Sequence, residues 1–260
     1  AIIHNHLFKK HQIKANYQLL SFPENNLKQM LQMLRSDNWL GVNVTIPYKE
    51  KVIPFVDELT PIAQKLQAIN TIICKNGYLI GDNTDAQGFK SDLQEKGVAV
   101  KQKTVTLLGA GGAAKAVGFA VAQMGCKKIQ VYNRSQNRAL HLQTIMQKEF
   151  PHVKCELIHQ LHPQEKELVI NCTPVGTDRH EMLWPTKKDF FPSQIVVDLI
   201  YRQTALLQKA KADESARSIA KKLKAQLETE RAEKAKEEQE EEIIERLQER
   251  QKQRSERLSK

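Results

Sequence analysis

The sequence predicts an α/β protein in three parts: a mixed α/β domain over residues 1–100, a parallel-sheet α/β domain over 101–210, and a charged helix over 211–260. Three observations predict it. Five apolar runs of strand length, at 104–108, 128–132, 153–158, 168–172 and 195–199, leave room for helical patterns between the earlier ones. Strand–helix alternation of this kind builds parallel βαβ units with both sheet faces covered. The first of those runs leads straight into Gly109-Ala110-Gly111-Gly112-Ala113-Ala114 and an Ala/Val-rich stretch, a strand, turn and helix in one piece. Residues 1–100 mix helical and strand periods instead, which sets them apart as a separate domain.

Within that first part, Leu27, Met30, Leu31 and Leu34 stand at i, i+3, i+4 and i+7, the apolar face of a helix. Leu40, Val42 and Val44 alternate as a half-buried strand does, and Pro47 ends it. The runs 69–74 and 78–80 read as two strands joined by Asn76-Gly77, a hairpin turn. Thr84 to Gln87 fits a capping box, so a helix follows the hairpin.

The chain has 260 residues, 40% of them hydrophobic, enough to bury one large or two modest cores. No apolar run is long enough to span a membrane, and the N-terminus has no charged segment followed by an apolar one, so neither a membrane anchor nor a signal peptide is expected. The chain opens on Ala1 rather than Met, as a processed chain or a piece of a longer one does. Cys74, Cys126, Cys155 and Cys172 lie in apolar or strand-like stretches without metal-ligand spacing. They read as buried free thiols of a cytoplasmic protein, and no metal is expected.

The net charge of +10 is scattered, with no aromatic-interleaved basic patch and no recognisable nucleic-acid module. An anionic cofactor and an anionic small-molecule substrate fit it better than nucleic acid or a membrane. Residues 211–260 carry mixed charges and no Gly, Pro or aromatic residue, with Glu230 and Lys234, or Glu242 and Arg246, four apart. That spacing supports an exposed helix. Ile219, Leu223, Leu227, Ile243, Ile244, Leu247 and Leu258 are too sparse for a sustained heptad, which leaves a helix partner for residues 211–260 as an open alternative.

The glycine turn satisfies GxGxxG/A with Ala114 in last place, the fingerprint of a Rossmann dinucleotide site. Gly109 permits the tight turn, Gly111 lets the backbone approach a pyrophosphate, and Ala114 lets helix and strand pack closely. Gly112 and Ala113 open the helix, whose N–H groups point at phosphate. The next strand ends in Asn133-Arg134-Ser135, where a NAD site carries an acidic residue for the ribose hydroxyls. Arg134 can pair with an adenosine 2′-phosphate and Ser135 can add a donor, so NADP is the expected cofactor.

On the other side of the chain, Asn43, Thr45 and Lys49 punctuate a strand end and could face one cleft. Asn70 and the run Asp82-Asn83-Thr84-Asp85 add polar groups at further strand ends. Each has a plainer reading: a solvated lysine, or a helix cap at Thr84 or Asp85.

Taken in order, Gly41-Val42-Asn43-Val44-Thr45-Ile46-Pro47-Tyr48-Lys49, Ile69-Asn70-Thr71, Gly81-Asp82-Asn83-Thr84-Asp85, the glycine turn and Asn133-Arg134-Ser135 resemble the shikimate dehydrogenase family. Asn171-Cys172-Thr173-Pro174-Val175-Gly176 and Val197-Asp198-Leu199-Ile200-Tyr201 resemble its later strand ends, so the likeness runs from residue 1 to about 210. The resemblance implies a substrate-binding α/β domain followed by a Rossmann NADP-binding domain. It implies reversible NADPH-linked reduction of 3-dehydroshikimate to shikimate, a step of aromatic amino acid and chorismate biosynthesis. Lys49 and Asp85 match the family's catalytic pair, and Asn43, Thr45, Asn70 and Asp85 match positions that bind the substrate's hydroxyls. Quinate or a related cyclic acid could take shikimate's place.

The family also begins with a strand and a serine-containing loop ahead of His4-Asn5, and ends with a closing helix that bears a substrate-binding glutamine. This chain has neither, and its charged segment from about Lys211 stands in place of the latter. Those two lost anchors predict weak or undetectable shikimate oxidation by the chain. The alternative reading is a catalytically dead dehydrogenase-like scaffold that associates through its charged helix.

Overall fold

The computed structural model describes residues 1–36, 38–161, 168–177, 190–191, 193–200 and 203–212. The expected charged helix over 211–260 therefore lies outside the described residues apart from its first two. The chain divides into two compact units, residues 1–84 and residues 85 onward.

The first unit opens with α1 (Ile2–Lys10) and α2 (Leu27–Met33). It continues through β1 (Gly41–Asn43), β2 (Glu58–Leu59), α3 (Pro61–Leu66), β3 (Thr71–Lys75) and β4 (Tyr78–Asp82). The sheet order is β1-β3-β4-β2. β3 pairs antiparallel with both β1 and β4, while β2 runs parallel to β4. The hairpin turns at Asn76-Gly77, whose φ values of +50° and +76° suit the twist of a two-residue connection. Leu27, Leu31 and Leu34 bury the predicted helix face against Ile69, Ile72 and Leu79. The strand expected around residues 40–44 is shorter, because Leu40 is exposed and a turn with a cis Ile46–Pro47 bond follows directly.

Arg35 ties this unit's loops together. Its guanidinium donates to both Asp57 oxygens at 2.6 and 3.0 Å, and also to the carbonyls of Gly77 and Phe55. The hydrogen bonds from Arg35 and from the Leu79 N–H hold the Asp57 carboxyl below its ordinary range.

The second unit begins with α4 (Asp85–Glu95), which packs along α5 (Gly112–Gln123). This division by contacts falls one helix earlier than the boundary near residue 100 expected from periodicity. β5 (Thr104–Leu108), β6 (Lys128–Tyr132), β7 (Lys154–Leu157), β8 (Leu168–Asn171) and β9 (Ile195–Asp198) form a sheet in the order β7-β6-β5-β8-β9. Every pair is parallel. α6 (Gln136–Glu149) joins β6 to β7, and α7 (Ala205–Ala212) packs on β9. All five predicted strands are present, β5 and β6 at their expected bounds and β7, β8 and β9 shorter by one or two residues, and the order reverses between β5 and β8.

One face of this sheet buries Leu108, Val169, Val196, Phe190, Leu206 and Leu207 together. Across the middle of β5, β6 and β7 runs a polar row. Thr106 donates to Gln130, which donates to Glu156 at 2.9 Å, and Lys128 and Lys154 close on the same carboxylate at 2.9 and 2.8 Å. The four cysteines are free, with Cys126, Cys155 and Cys172 buried. Burial pushes the Cys126 and Cys155 thiols up to about 12 and Cys172 further still, which leaves them poor nucleophiles.

Candidate functional site

The glycine turn sits at the carboxyl end of the central strand, beside the point where the strand order reverses. In open α/β sheets that crevice is where ligands bind. Gly109 takes φ +111° and donates its N–H to the Tyr132 carbonyl at 2.8 Å, which joins the turn to the end of β6. Gly111 is the N-cap of α5 in an extended conformation, and no heavy atom lies within 4 Å of where a Cβ would stand. The first N–H groups of a helix lack intrahelical partners, so Gly112 and Ala113, at the start of α5, offer donors suited to an anion.

Asn133, Arg134 and Ser135 follow β6 at the same edge. Asn133 donates to the Ser135 carbonyl at 2.8 Å, and Ser135 caps α6 without a side-chain bond of its own. Arg134 and Ser135 are exposed. Arg138 is exposed too and stands one helical turn past Arg134, in the first turn of α6. The sequence reading did not single it out, although the four-residue spacing from Arg134 was visible. The sheet thus gathers all the expected cofactor residues at two adjacent strand ends. They offer an anion cradle over β5 and positive charge over β6.

The ends of β8 and β9 carry a second polar group. Asn171 is 2% exposed, and Asp198 lies beside it. Burial drives the Asp198 carboxyl above its ordinary range, against hydrogen bonds from Thr204, the Ile200 N–H and Asn171 that pull it back. Sequence reasoning gave these residues no role beyond family likeness, because their partners are far apart in the chain.

In the first unit two of the predicted residues, Asn43 and Asn70, belong to one hydrogen-bonded chain. Asn43 donates to Thr71 Oγ1, Thr71 donates to Asn70 Oδ1 at 2.9 Å, and the Asn70 amide donates to Thr84 Oγ1 at 2.9 Å. The Thr84 N–H returns a bond to Asn70 Oδ1 at 3.0 Å. Asn83 is buried and donates to the Ala68 carbonyl, which fixes the backbone just ahead of Asp85. The Lys49 carbonyl accepts from the Ile69 N–H at 2.7 Å, so Lys49 sits next to the Ala68–Asn70 segment. Thr45 is exposed in the turn after β1. Lys49 belongs to the first unit, and Asp85 opens the second.

One residue joins this chain unannounced. The Tyr17 hydroxyl donates to Asn43 Oδ1 at 3.0 Å, while Tyr17 itself is held by Asn5 and stacks on His4 at 4.2 Å. No local pattern marks Tyr17, since Asn43 is 26 residues away. Among the described residues no group of three or more His, Cys, Asp or Glu could hold a metal, and no helix is long and apolar enough to cross a membrane.

Comparisons with known proteins identify relatives of the chain. A family description for the shikimate dehydrogenase substrate binding domain matches residues 1–72, and one for shikimate / quinate 5-dehydrogenase matches residues 92–188. The chain is 38% identical to the NADP(+) shikimate dehydrogenase of Carboxydothermus hydrogenoformans, covering 84% of this chain and 79% of that one. It is similar to a crystal structure of shikimate dehydrogenase in complex with NADP+, with TM-score 0.73 and 31% identity over 84% of this chain and 78% of that one. It is also similar to the Thermus thermophilus enzyme in complex with NADP(H) and shikimate, with TM-score 0.69 and 33% identity over 82% of this chain and 79% of that one.

Proposed function

The chain belongs to the shikimate dehydrogenase family, and we propose that it is an NADP-dependent oxidoreductase interconverting 3-dehydroshikimate and shikimate. The observation that carries this reading is the pairing of an open glycine cradle at Gly111 with Arg134, rather than an acidic residue, at the end of β6. In this reading Gly109, Gly111, Gly112 and Ala113 receive the pyrophosphate, and Asn133, Arg134 and Ser135 receive the adenosine 2′-phosphate. Arg138, one turn further, adds positive charge to the same end. The residues fit the cofactor. The space before α5 is clear, the helix end favours an anion, and a guanidinium can fork onto a phosphate.

NADP, when bound, supplies the hydride acceptor. The chain's own residues orient the substrate and manage its proton. Asn43, Thr45, Asn70 and Asp85 hydrogen-bond the ring hydroxyls. Lys49 takes up the proton as the alcohol is oxidised and returns it in the reverse direction, and its ammonium stabilises negative charge on the reacting oxygen. Asp85 completes the catalytic pair as its carboxylate member. The Asn43–Thr71–Asn70–Thr84 chain supports this assignment because it holds the amides in fixed orientations before substrate arrives.

The reading places the protein in aromatic amino acid biosynthesis, and its buried free thiols suit a reducing cytoplasm. The scaffold alternative has no observation in its favour. A helix partner for residues 211–260 rests on the charge pattern alone. The deciding experiment measures NADP reduction by the purified chain with shikimate and, separately, quinate. Weak shikimate-dependent reduction that NAD supports less well is the expected result. No NADPH binding, together with no turnover on either acid, would overturn the reading.

A further inference from the structure

A dinucleotide with its 2′-phosphate at Arg134, beyond β6, and its pyrophosphate at the turn after β5 must continue in the same direction along the sheet edge. The sheet order β7-β6-β5-β8-β9 then puts its nicotinamide half over the carboxyl ends of β8 and β9. Residues 172–177 follow β8, and residues 199–200 and 203–204 follow β9. Both groups are organised around one half-buried carboxylate, Asp198.

Asp198 Oδ1 accepts from Asn171 Nδ2 at 3.1 Å and from the Ile200 N–H at 3.0 Å, and Oδ2 accepts from the Thr204 hydroxyl at 2.7 Å. A carboxylate only accepts, so it dictates which way each partner faces. Asn171 must turn Nδ2 toward Asp198, and Oδ1 is thereby turned toward Thr173. There it accepts from both the N–H and the hydroxyl of Thr173, at 3.0 and 2.7 Å. Asn171 Nδ2 also donates to the Val175 carbonyl at 3.0 Å, and the Val175 N–H donates to Thr173 Oγ1 at 3.1 Å. The loop is wrapped around one amide whose orientation Asp198 sets.

That loop presses on the glycine turn, because a Cβ at Gly109 would lie 2.8 Å from Thr173 Cγ2. At its far end, Gly176 takes φ +103° against the side chain of Thr204. Thr204 donates to Asp198 and accepts from the Leu207 N–H, which caps α7. The carboxylate's distinctive contribution is to orient its partners.

We propose that Asp198 is a positioning residue of the dinucleotide site: acting through Asn171 and Thr204, it fixes the loop of residues 172–176 against Gly109 as the wall on which the nicotinamide half rests. This proposal rests on the NADP reading above. Asp198→Asn keeps the shape but can turn an NH2 toward Asn171 or Thr204, which breaks the directional lock.

The test compares Asp198→Asn with the parent full-length chain for binding of NADPH and of 2′,5′-ADP, which carries the 2′-phosphate but no nicotinamide. Amide hydrogen exchange of both proteins without cofactor is measured alongside. Loss of a hydrogen bond to a charged group corresponds to about a tenfold effect. NADPH should therefore bind about tenfold more weakly, 2′,5′-ADP should stay within about twofold, and Thr173 and Val175 should exchange faster while β5 and β6 amides do not. Equal weakening of both ligands, NADPH affinity within about twofold of the parent, or unchanged exchange would each overturn the proposal and leave the NADP reading standing. A parent chain that binds neither ligand would overturn both together. Should Asp198→Asn fail to fold, Thr204→Val removes one of the three bonds and should show the same selective loss to a smaller degree; its absence overturns the proposal.

Discussion

Alanine at Gly111 and alanine at Gly109 should do opposite things, although only Ala110 separates them. Gly111 has φ −88° and ψ −170°, a conformation open to any residue, and nothing lies within 4 Å of its Cβ position. Alanine is poorer than glycine as an N-cap by about 0.5 kcal/mol, but it lowers the entropy of the unfolded chain by a similar amount, about 0.4–1 kcal/mol. The two cancel, so Gly111→Ala should leave the unfolding free energy within about 0.5 kcal/mol of the parent. Its methyl group instead takes the space through which a pyrophosphate would reach the N–H groups of α5. Losing one such charge-assisted bond costs about 1.5–3 kcal/mol, or roughly a tenfold to hundredfold drop in NADPH affinity.

Gly109 has φ +111°, where a side chain costs about 1–2 kcal/mol. Its Cβ would also meet Thr173 Cγ2 at 2.8 Å and the Cys172 carbonyl carbon at 3.3 Å. Cys172 cannot give way easily, since its N–H is bonded to the Leu108 carbonyl at 2.8 Å. Overpacking of this kind adds about 1–3 kcal/mol, so Gly109→Ala should lose about 2–5 kcal/mol of stability before any cofactor is added. Urea unfolding without cofactor and NADPH titration of each variant measure the two effects separately. A Gly111→Ala protein that binds NADPH within about twofold of the parent would refute the placement of the pyrophosphate. A Gly109→Ala protein as stable as the parent would refute the packing.

Arg134→Ala should weaken NADPH by about tenfold and leave NADH nearly unchanged at matched ionic strength, because only NADPH carries the 2′-phosphate; equal losses would contradict the assignment. Lys49→Ala should abolish turnover while NADPH affinity stays within about twofold, since Lys49 acts on the transition state and belongs to the first unit, whereas the glycine turn belongs to the second; near-parental activity would remove it from the mechanism. Glu156 is held down to about 2 by hydrogen bonds from Lys154, Gln130 and Lys128. Its folded value lies below the unfolded one, so its stabilisation is fully present above about pH 4.5 and is lost as pH falls toward 2. Glu156→Gln should cost about 1–2 kcal/mol at neutral pH, discounted for solvent screening around the exposed Lys154. Urea midpoints of parent and variant should then converge as pH is lowered from 4.5, and a gap that widens would invert the sign.

Much of this protein could be read from the chain because the features concerned are local. The strands of the second unit announce themselves as apolar runs, and their alternation with helices implies a parallel sheet. Asn76-Gly77 specifies its own turn through two positive φ values. The glycine turn is legible because small residues at fixed offsets between a strand and a helix have one common physical use, and Arg134 follows from its place at the end of the next strand. What the sequence could not show are the pairings that cross the fold. Asn171 and Asp198 are 27 residues apart, Tyr17 and Asn43 are 26 apart, and Thr106, Gln130 and Glu156 come from three different strands. Nor could it show that α4 belongs with α5 rather than with the hairpin before it. Periodicity and turn chemistry are properties of neighbouring residues, so they survive in one dimension. A buried polar group is satisfied only by whichever partner the strand order brings within hydrogen-bonding distance, and at residues such as Asp198 that partner exists only once the sheet has formed.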